Sequence, residues 1–316
     1  MKTVINQQQI IWDTFGNLET FNPEWLEQQG HWEDFIAAFF KSNGLYYDNH
    51  MSRVENCIRA EDKAAFASMF EQLLPRLRQS TDLSDVDTVI LAHWTPDLHL
   101  GTSVVNYVIH SLELGEQSFG LAISDRGLSA PFMALDCIHR YIQERDSSAL
   151  LLIADQKHLL YRSALMDELA PENTACIVKI SRSGSGWVYA GYRKHTHVTE
   201  RDLGQSIQEM ITHFGLSPQT RIIASPALLV QLSDVGQQLE HDGAPVTTEE
   251  RHISIDEKQI AIGAKQIAID EKLLCAAPFA ALEQYGQPEQ DYLLIRYDEG
   301  ILTGVGFSHQ EEDVCA

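Results

Sequence analysis

Asp125 stands where a side chain can do chemistry. The segment Ser118-Phe-Gly-Leu-Ala-Ile-Ser-Asp-Arg-Gly-Leu-Ser-Ala-Pro-Phe-Met-Ala-Leu-Asp-Cys-Ile-His-Arg-Tyr141 reads as a short buried strand, a tight turn at Asp125-Arg126-Gly127, and an amphipathic helix. A residue in such a turn lies at a helix N-terminus, whose positive end stabilises an anion. For a carboxylate this lowers basicity and weakens an already poor nucleophile. A carboxylate that begins a helix is also what an N-cap looks like, so the simpler reading of Asp125 is a cap or an ion-pair partner of Arg126. The chemical reading is a general base toward a bound hydroxyl, amine or water, and it requires burial that raises the carboxyl pKa toward neutrality.

The other reactive residues are less well placed. Five cysteines, Cys57, Cys137, Cys176, Cys275 and Cys315, are scattered with no paired or metal-finger spacing, which fits free buried thiols better than a disulfide framework. Cys137 lies about twelve residues past the turn, roughly 18 Å along a helix axis, too far to stand in for a side chain at 125. Cys275 has no identifiable basic partner to activate it. His195 and His197 alternate on a strand-like stretch as two points of a metal site, but no third ligand is evident, so no metal and no cofactor are expected. His93 and His99 flank a turn at Thr95-Pro-Asp97, where packing or an interface role is expected.

These residues are carried on alternating helical and strand patterns. Aromatic-rich helical stretches at Trp25 to Gln29 and Trp32 to Lys41 end at Ser42-Asn43-Gly44, and Glu61 to Leu74 is helical until Pro75 ends or kinks it. Asp87 to His93 is a strand, Val104 to Leu114 a helix stopped by Gly115, Phe119 to Ile123 a strand, Leu128 to Gln143 a helix and Ala149 to Ala154 a fully apolar strand. Further on come strands at Thr174 to Ile180 and Trp187 to Tyr192 around a turn at Ser181 to Gly186, then a helix at Glu200 to Phe214 and a strand at Arg221 to Ser225. A helical stretch at Ala276 to Gln284 and strands at Tyr292 to Arg296 and Leu302 to Phe307 complete the chain. Strands apolar on both faces indicate a sheet covered on both sides. The order of elements repeats weakly: Asp87 to His93 corresponds to Arg221 to Ser225, and Ala149 to Ala154 to Tyr292 to Arg296, which gives two halves, 1–172 and 173–316.

At 316 residues and 44% hydrophobic, the chain can bury a large core. It contains no apolar run of bilayer length, and its polar start, Met1 to Gln9, lacks a basic and then apolar leader, so a soluble cytoplasmic protein is expected. The formal charge of −22 argues against nucleic-acid and membrane binding, and against docking an acidic carrier protein unless the fold gathers a basic patch. Arg76, Arg78, Arg140, Arg162, Arg182 and Arg193 are dispersed along the sequence.

From about Gly44 onward, the order and spacing of these stretches resemble the ketoacyl-ACP synthase III branch of the thiolase superfamily. The resemblance rests on Gly44-Leu45 followed by Arg53, on Val86-Asp-Thr-Val-Ile-Leu-Ala-His-Trp-Thr-Pro-Asp97, on Leu114-Gly115 before the nucleophile strand, and on Tyr292 to Phe307 at the end. It implies an α/β, five-layered αβαβα fold of two duplicated halves that dimerises through Phe119, Leu121 and Ile123, with His99 and Leu100 on the loop that approaches the partner. It also implies a cysteine, a histidine and an asparagine acting on acyl thioesters. Asp125 stands in place of the cysteine, Ser225 in place of the histidine, and Asp270-Glu-Lys-Leu-Leu274, before Pro278, contains no asparagine. The glycine-rich terminal loop is reduced to Asp298-Glu-Gly300. The expectation is a catalytically degenerate homologue, a non-catalytic subunit that pairs with a cysteine-bearing ketosynthase III-like paralogue or with itself. Acyl-CoA or acyl-ACP would be engaged through the partner, in specialised fatty-acid or polyketide-type biosynthesis. The alternative is an active acyltransferase or hydrolase in which Asp125 serves as general base.

Overall fold

The computed structural model describes residues 2–143, 147–241 and 266–309. The strands are β1 (Val4–Phe15), β2 (Val86–Ala92), β3 (Phe119–Ile123), β4 (Ser148–Asp155), β5 (Asn173–Ser181), β6 (Trp187–His195), β7 (Arg221–Ala224), β8 (Gln266–Ala268), β9 (Tyr292–Asp298) and β10 (Ile301–Ser308). The helices are α1 (Glu24–Glu27), α2 (Gln29–Ser42), α3 (Val54–Arg59), α4 (Phe66–Ser80), α5 (Val104–Ser111), α6 (Ala130–Ile142), α7 (Ala164–Leu169), α8 (Leu203–His213), α9 (Pro226–His241) and α10 (Ala277–Tyr285).

The strands pair in the order β3-β2-β4-β5-β1-β6-β10-β9-β7-β8. Read outward from the β1–β6 seam, each side has one pattern. β2 is parallel to β3 and β4, and β4 is antiparallel to β5; β7 is parallel to β8 and β9, and β9 is antiparallel to β10. The duplication is therefore written in hydrogen bonds. Asn173–Ser181, which the element order assigns to the second half, pairs with β4 and β1 and completes the first set of strands.

Three apolar cores define the layers. One packs α4 and α5 on the outer face of the first strand set, one packs α8 and α9 on the outer face of the second, and the largest lies between the two sets around α6 and α10. In that middle layer Phe132 of α6 meets Phe279 of α10 edge to face, with ring centroids 6.3 Å apart. Helix, sheet, helix, sheet, helix is the expected five-layered arrangement. All eight residues of β4 are buried, as a strand covered on both faces requires.

Three local expectations are corrected. Helix α4 begins at Phe66 rather than Glu61, because the Phe66 N–H is capped from a distance by Asp97 Oδ1 at 2.9 Å. Of the two outcomes expected at Pro75, an end or a kink, the end does not occur: the helix continues to Ser80. Pro75 and Glu71, whose carbonyl loses its partner, lie on the exposed side, where water replaces the bond, while Leu73, Leu74 and Leu77 keep the buried stripe continuous. The polar N-terminus forms β1: Val4, Ile5, Ile10 and Ile11 are buried, and a register shift between Ile5 and Ile10 loops out the glutamines, Gln7 donating to the Glu283 and Gly286 carbonyls. Third, β3 is not buried. It is the sheet edge, with Phe119 and Leu121 exposed.

The segment after β4 is held by Asp62. Its Oδ1 lies 2.5 Å from His158 Nε2 and its Oδ2 lies 2.8 Å from Lys157 Nζ, while Asn173 accepts the Lys157 N–H and donates to the Asp62 and Phe15 carbonyls. Burial alone would raise the Asp62 pKa, but the hydrogen bonds and charges of Lys157 and His158 outweigh it and hold the carboxyl at about 2, below its ordinary 3.8. A folded pKa below the unfolded one stabilises the fold above the unfolded value, and the contribution is lost as pH falls through the folded value. Denaturant titrations between about pH 4 and pH 2 should therefore show a steeper loss of stability in the wild type than in Asp62→Asn.

Candidate functional site

The turn, the segment before Pro278 and the end of β4 meet at the centre of the molecule. Asp155, the last residue of β4, is 1% exposed and accepts four hydrogen bonds. Its Oδ1 takes the N–H groups of Trp94 at 2.9 Å and Thr95 at 2.8 Å and the Thr95 hydroxyl at 3.1 Å; its Oδ2 takes the Cys275 N–H at 3.0 Å. One carboxylate thus ties the loop after β2, the end of β4 and the helical turn Glu271–Ala276. Opposite it, buried Arg296 of β9 donates to the Leu274 carbonyl. Leu274 occupies φ 46°, ψ −120°, a conformation an apolar L-residue rarely adopts; the clamps on either side of it, Arg296 on its carbonyl and Asp155 on the next N–H, hold it there.

Cys275 is buried, and its thiol sulfur lies 3.8 Å from the Gly127 carbonyl, so the segment before Pro278 does reach the turn. Burial first, and the Asp155 charge beside it, push the thiol pKa well above its ordinary value, and Arg296 offsets this only in part. It is a packed thiol, held toward its neutral form by burial. Leu274 is fully buried, and it packs with Leu159 and Met166 against Trp94, Leu128, Tyr161 and Leu169. Large apolar side chains therefore fill the space beside the turn.

Asp125 lies outside this centre. Its side chain is 73% exposed and pairs with Arg126 at 3.3 Å. No side-chain hydrogen bond caps the helical turn Gly127–Ser129 or α6, so the ion-pair reading holds and the cap reading does not. Gly127, at φ 55°, takes the left-handed position the turn needs. Ser225 is committed elsewhere: its Oγ accepts the Leu228 N–H at 3.3 Å and opens α9, whose first residue is Pro226.

His93 Nδ1 donates to the Thr95 carbonyl at 2.7 Å, and its ring meets Phe66 edge to face. His99 is half-exposed, with its Nε2 3.5 Å from Glu19 Oε2 and its ring against Trp25. His195 ends β6, and His197 turns away at φ 60°; no group of three or more acidic, histidine or cysteine side chains able to hold a metal occurs among the described residues. Cys57 and Cys176 are buried, Cys137 is half-buried and desolvated, and Cys315 lies outside the described residues. Two cavities, of about 380 and 360 Å³, lie elsewhere, and neither is bordered by Asp125, Ser225 or Cys275.

Asp155 and Arg296 were missed as candidates. The available signal was a charged residue closing an otherwise apolar strand, in Leu150 to Asp155 and again in Leu293 to Arg296.

No family model matches the sequence, and no curated protein matches it. Solved structures do match in fold. The β-ketoacyl-acyl-carrier-protein synthase III of Thermus thermophilus is 15% identical, with a TM-score of 0.56, over 80% of this chain and 86% of its own. The 3-oxoacyl-acyl-carrier-protein synthase III of Xanthomonas oryzae is 9% identical, with a TM-score of 0.59, over 98% and 99%. A tetronic acid condensing enzyme is 12% identical, with a TM-score of 0.59, over 97% and 99%. No helix among the described residues is long and apolar enough to cross a membrane.

Removing the Asp155 carboxylate leaves three buried N–H groups without their acceptor. Asp155→Ala should lose about 3 kcal/mol of unfolding free energy in urea titrations, while Asp125→Ala changes it by less than about 0.5 kcal/mol. The six strand pairings around β2, β4, β7 and β9, together with the helical layers, give this chain the α/β fold of the ketoacyl-acyl-carrier-protein synthase III structures.

Proposed function

We propose that the chain is a catalytically degenerate condensing-enzyme homologue that acts as a structural and modulating subunit. Its partner would be a cysteine-bearing ketosynthase III-like paralogue working in the cytoplasm in fatty-acid-like or polyketide-like biosynthesis. The observation that carries this reading is the filled site: Leu274, Leu128 and Trp94 pack where a reacting acyl group would need room, beside a thiol that burial keeps protonated. Asp125 bonded to Arg126 and Ser225 spent as a helix cap supply neither nucleophile nor base.

The edge strand supports a subunit role. β3 leaves one side of its backbone unpaired and presents Phe119, stacked on Tyr141 with centroids 4.8 Å apart, beside exposed Leu121. A partner strand there would satisfy the open N–H and C=O groups and cover the apolar side chains. His99 and Leu100 would add the neighbouring loop, and acyl-CoA or acyl-ACP would be bound through the partner's tunnel. The alternative, Asp125 as a general base, needs a buried carboxyl, and the 73% exposed Asp125 side chain does not supply it.

Affinity capture from the native host followed by mass spectrometry should recover a condensing enzyme that retains its cysteine. Phe119→Asp should abolish the recovery without altering the melting transition of the isolated chain. Recovery of the chain alone, with no condensing-enzyme partner, would contradict the heterodimer.

A further inference from the structure

Away from the turn, a cavity of about 360 Å³ lies between α1, α2, α3, the loop 96–102 and the segment 158–160. Its walls are mostly apolar, with Trp25, Trp32, Ile58, Leu98, Leu100 and Leu160 around it, and its size is that of a small-molecule site. Lys63 also lines it and is 1% exposed.

The Lys63 ammonium is under-partnered for a buried cation. Its Nζ donates to the Ile58 carbonyl at 2.6 Å and lies 4.5 Å from the centre of a Trp25 ring, with Phe21 at 6.0 Å. Among the described residues no carboxylate pairs with it. Glu19, whose charge it feels, is taken by the Ser68 hydroxyl at 2.7 Å and by His99. An ammonium has three donors, and one carbonyl leaves two for a ligand. Burial lowers the Lys63 pKa, the mark of a charge short of compensation.

Of the remaining titratable groups around the cavity, Asp97 is satisfied on one side only: its Oδ1 accepts the Phe66 and Leu98 N–H groups, its Oδ2 is buried without a partner, and burial raises its pKa toward the neutral acid, which can donate to a ligand carboxylate. His158 is held by Asp62 and His99 by Glu19, and burial pushes the Cys57 thiol up to about 11. Lys63 is thus the cation with open donors among the described residues of the cavity. Trp25, which covers it, sits on α1, a four-residue helix none of whose residues is buried, so its indole can give way to a ligand headgroup.

We propose that this cavity is a binding site for a small apolar monocarboxylate, its carboxylate taken by the Lys63 ammonium and its hydrocarbon body held between Trp25, Trp32 and Leu100. The bond pattern is a charge-assisted N–H to O⁻ pair in a desolvated site. The site shares Leu100 and His99 with the loop proposed to face a partner, but it needs neither Asp125 nor a partner chain, so binding by the isolated chain tests it apart from the subunit reading.

The test is calorimetric titration of the full chain with three matched probes: 4-phenylbutyrate, 4-phenylbutan-1-ol and 4-phenylbutylamine. The carboxylate should bind one per chain, about tenfold or more tighter than the alcohol, and the amine should be weakest. Lys63→Met should remove the preference for carboxylate over alcohol, and Leu100→Trp, which fills the cavity and keeps the cation, should weaken both. Melting curves report whether each variant folds. Should Lys63→Met lose its cooperative melt, the headgroup preference of the wild type and the weaker binding of both the carboxylate and the alcohol by Leu100→Trp decide the matter. No carboxylate binding at millimolar concentration, equal binding of the carboxylate and alcohol by the wild type, or tightest binding of the amine would overturn the proposal. So would a folded Lys63→Met that keeps the preference.

Discussion

Everything at the centre of this molecule depends on how the buried carboxylate of Asp155 is satisfied. A carboxylate at 1% exposure is tolerable only if its lone pairs are filled, and here they are filled by backbone N–H groups from two distant segments and one hydroxyl. Because the donors belong to Trp94, Thr95 and Cys275, the ends of the two strand sets are held in register by one side chain. Arg296 completes the arrangement from β9 by donating to Leu274. The strained backbone of Leu274 follows from being clamped at its carbonyl by Arg296 and at the following N–H by Asp155.

That clamp has a functional consequence. It drives Leu274 inward against Leu159 and Met166 and places the Cys275 thiol against Gly127, so the apex of the turn is backed by packed side chains. Asp125 is left outside with Arg126. The framework around the turn holds a carboxylate, a guanidinium and apolar side chains in hydrogen bonds and packing, while the open surface lies at the β3 edge and around the cavity lined by Lys63.

Much of the fold is legible in the sequence because its signals are local. The strand Phe119–Ile123, the apolar run inside Ser148–Asp155 and the helix Ala130–Ile142 all follow from hydrophobic period and turn residues within a dozen positions. The departures share a cause: each is decided by tertiary surroundings, either a distant partner or the side of an element that faces water. Asp97 sets the start of α4 from 31 residues away, β1 exists because β5 and β6 flank it, and Pro75 is tolerated because its side of α4 faces water. The site shows the same division. The oddness of Asp125, Ser225 and the asparagine-free stretch can be read residue by residue, but the roles of Asp155, Arg296 and Lys63 are created by burial, which no short window of sequence contains.

The proposed subunit role requires that the chain, by itself, carry no acyl-transfer chemistry at the turn. Its most direct test is the release of free thiol from a panel of short- to long-chain acyl-CoA thioesters by the purified chain, followed in parallel for wild type and Asp125→Ala. The account requires release indistinguishable from the protein-free rate in both. Turnover by the wild type that disappears in a folded Asp125→Ala would contradict it.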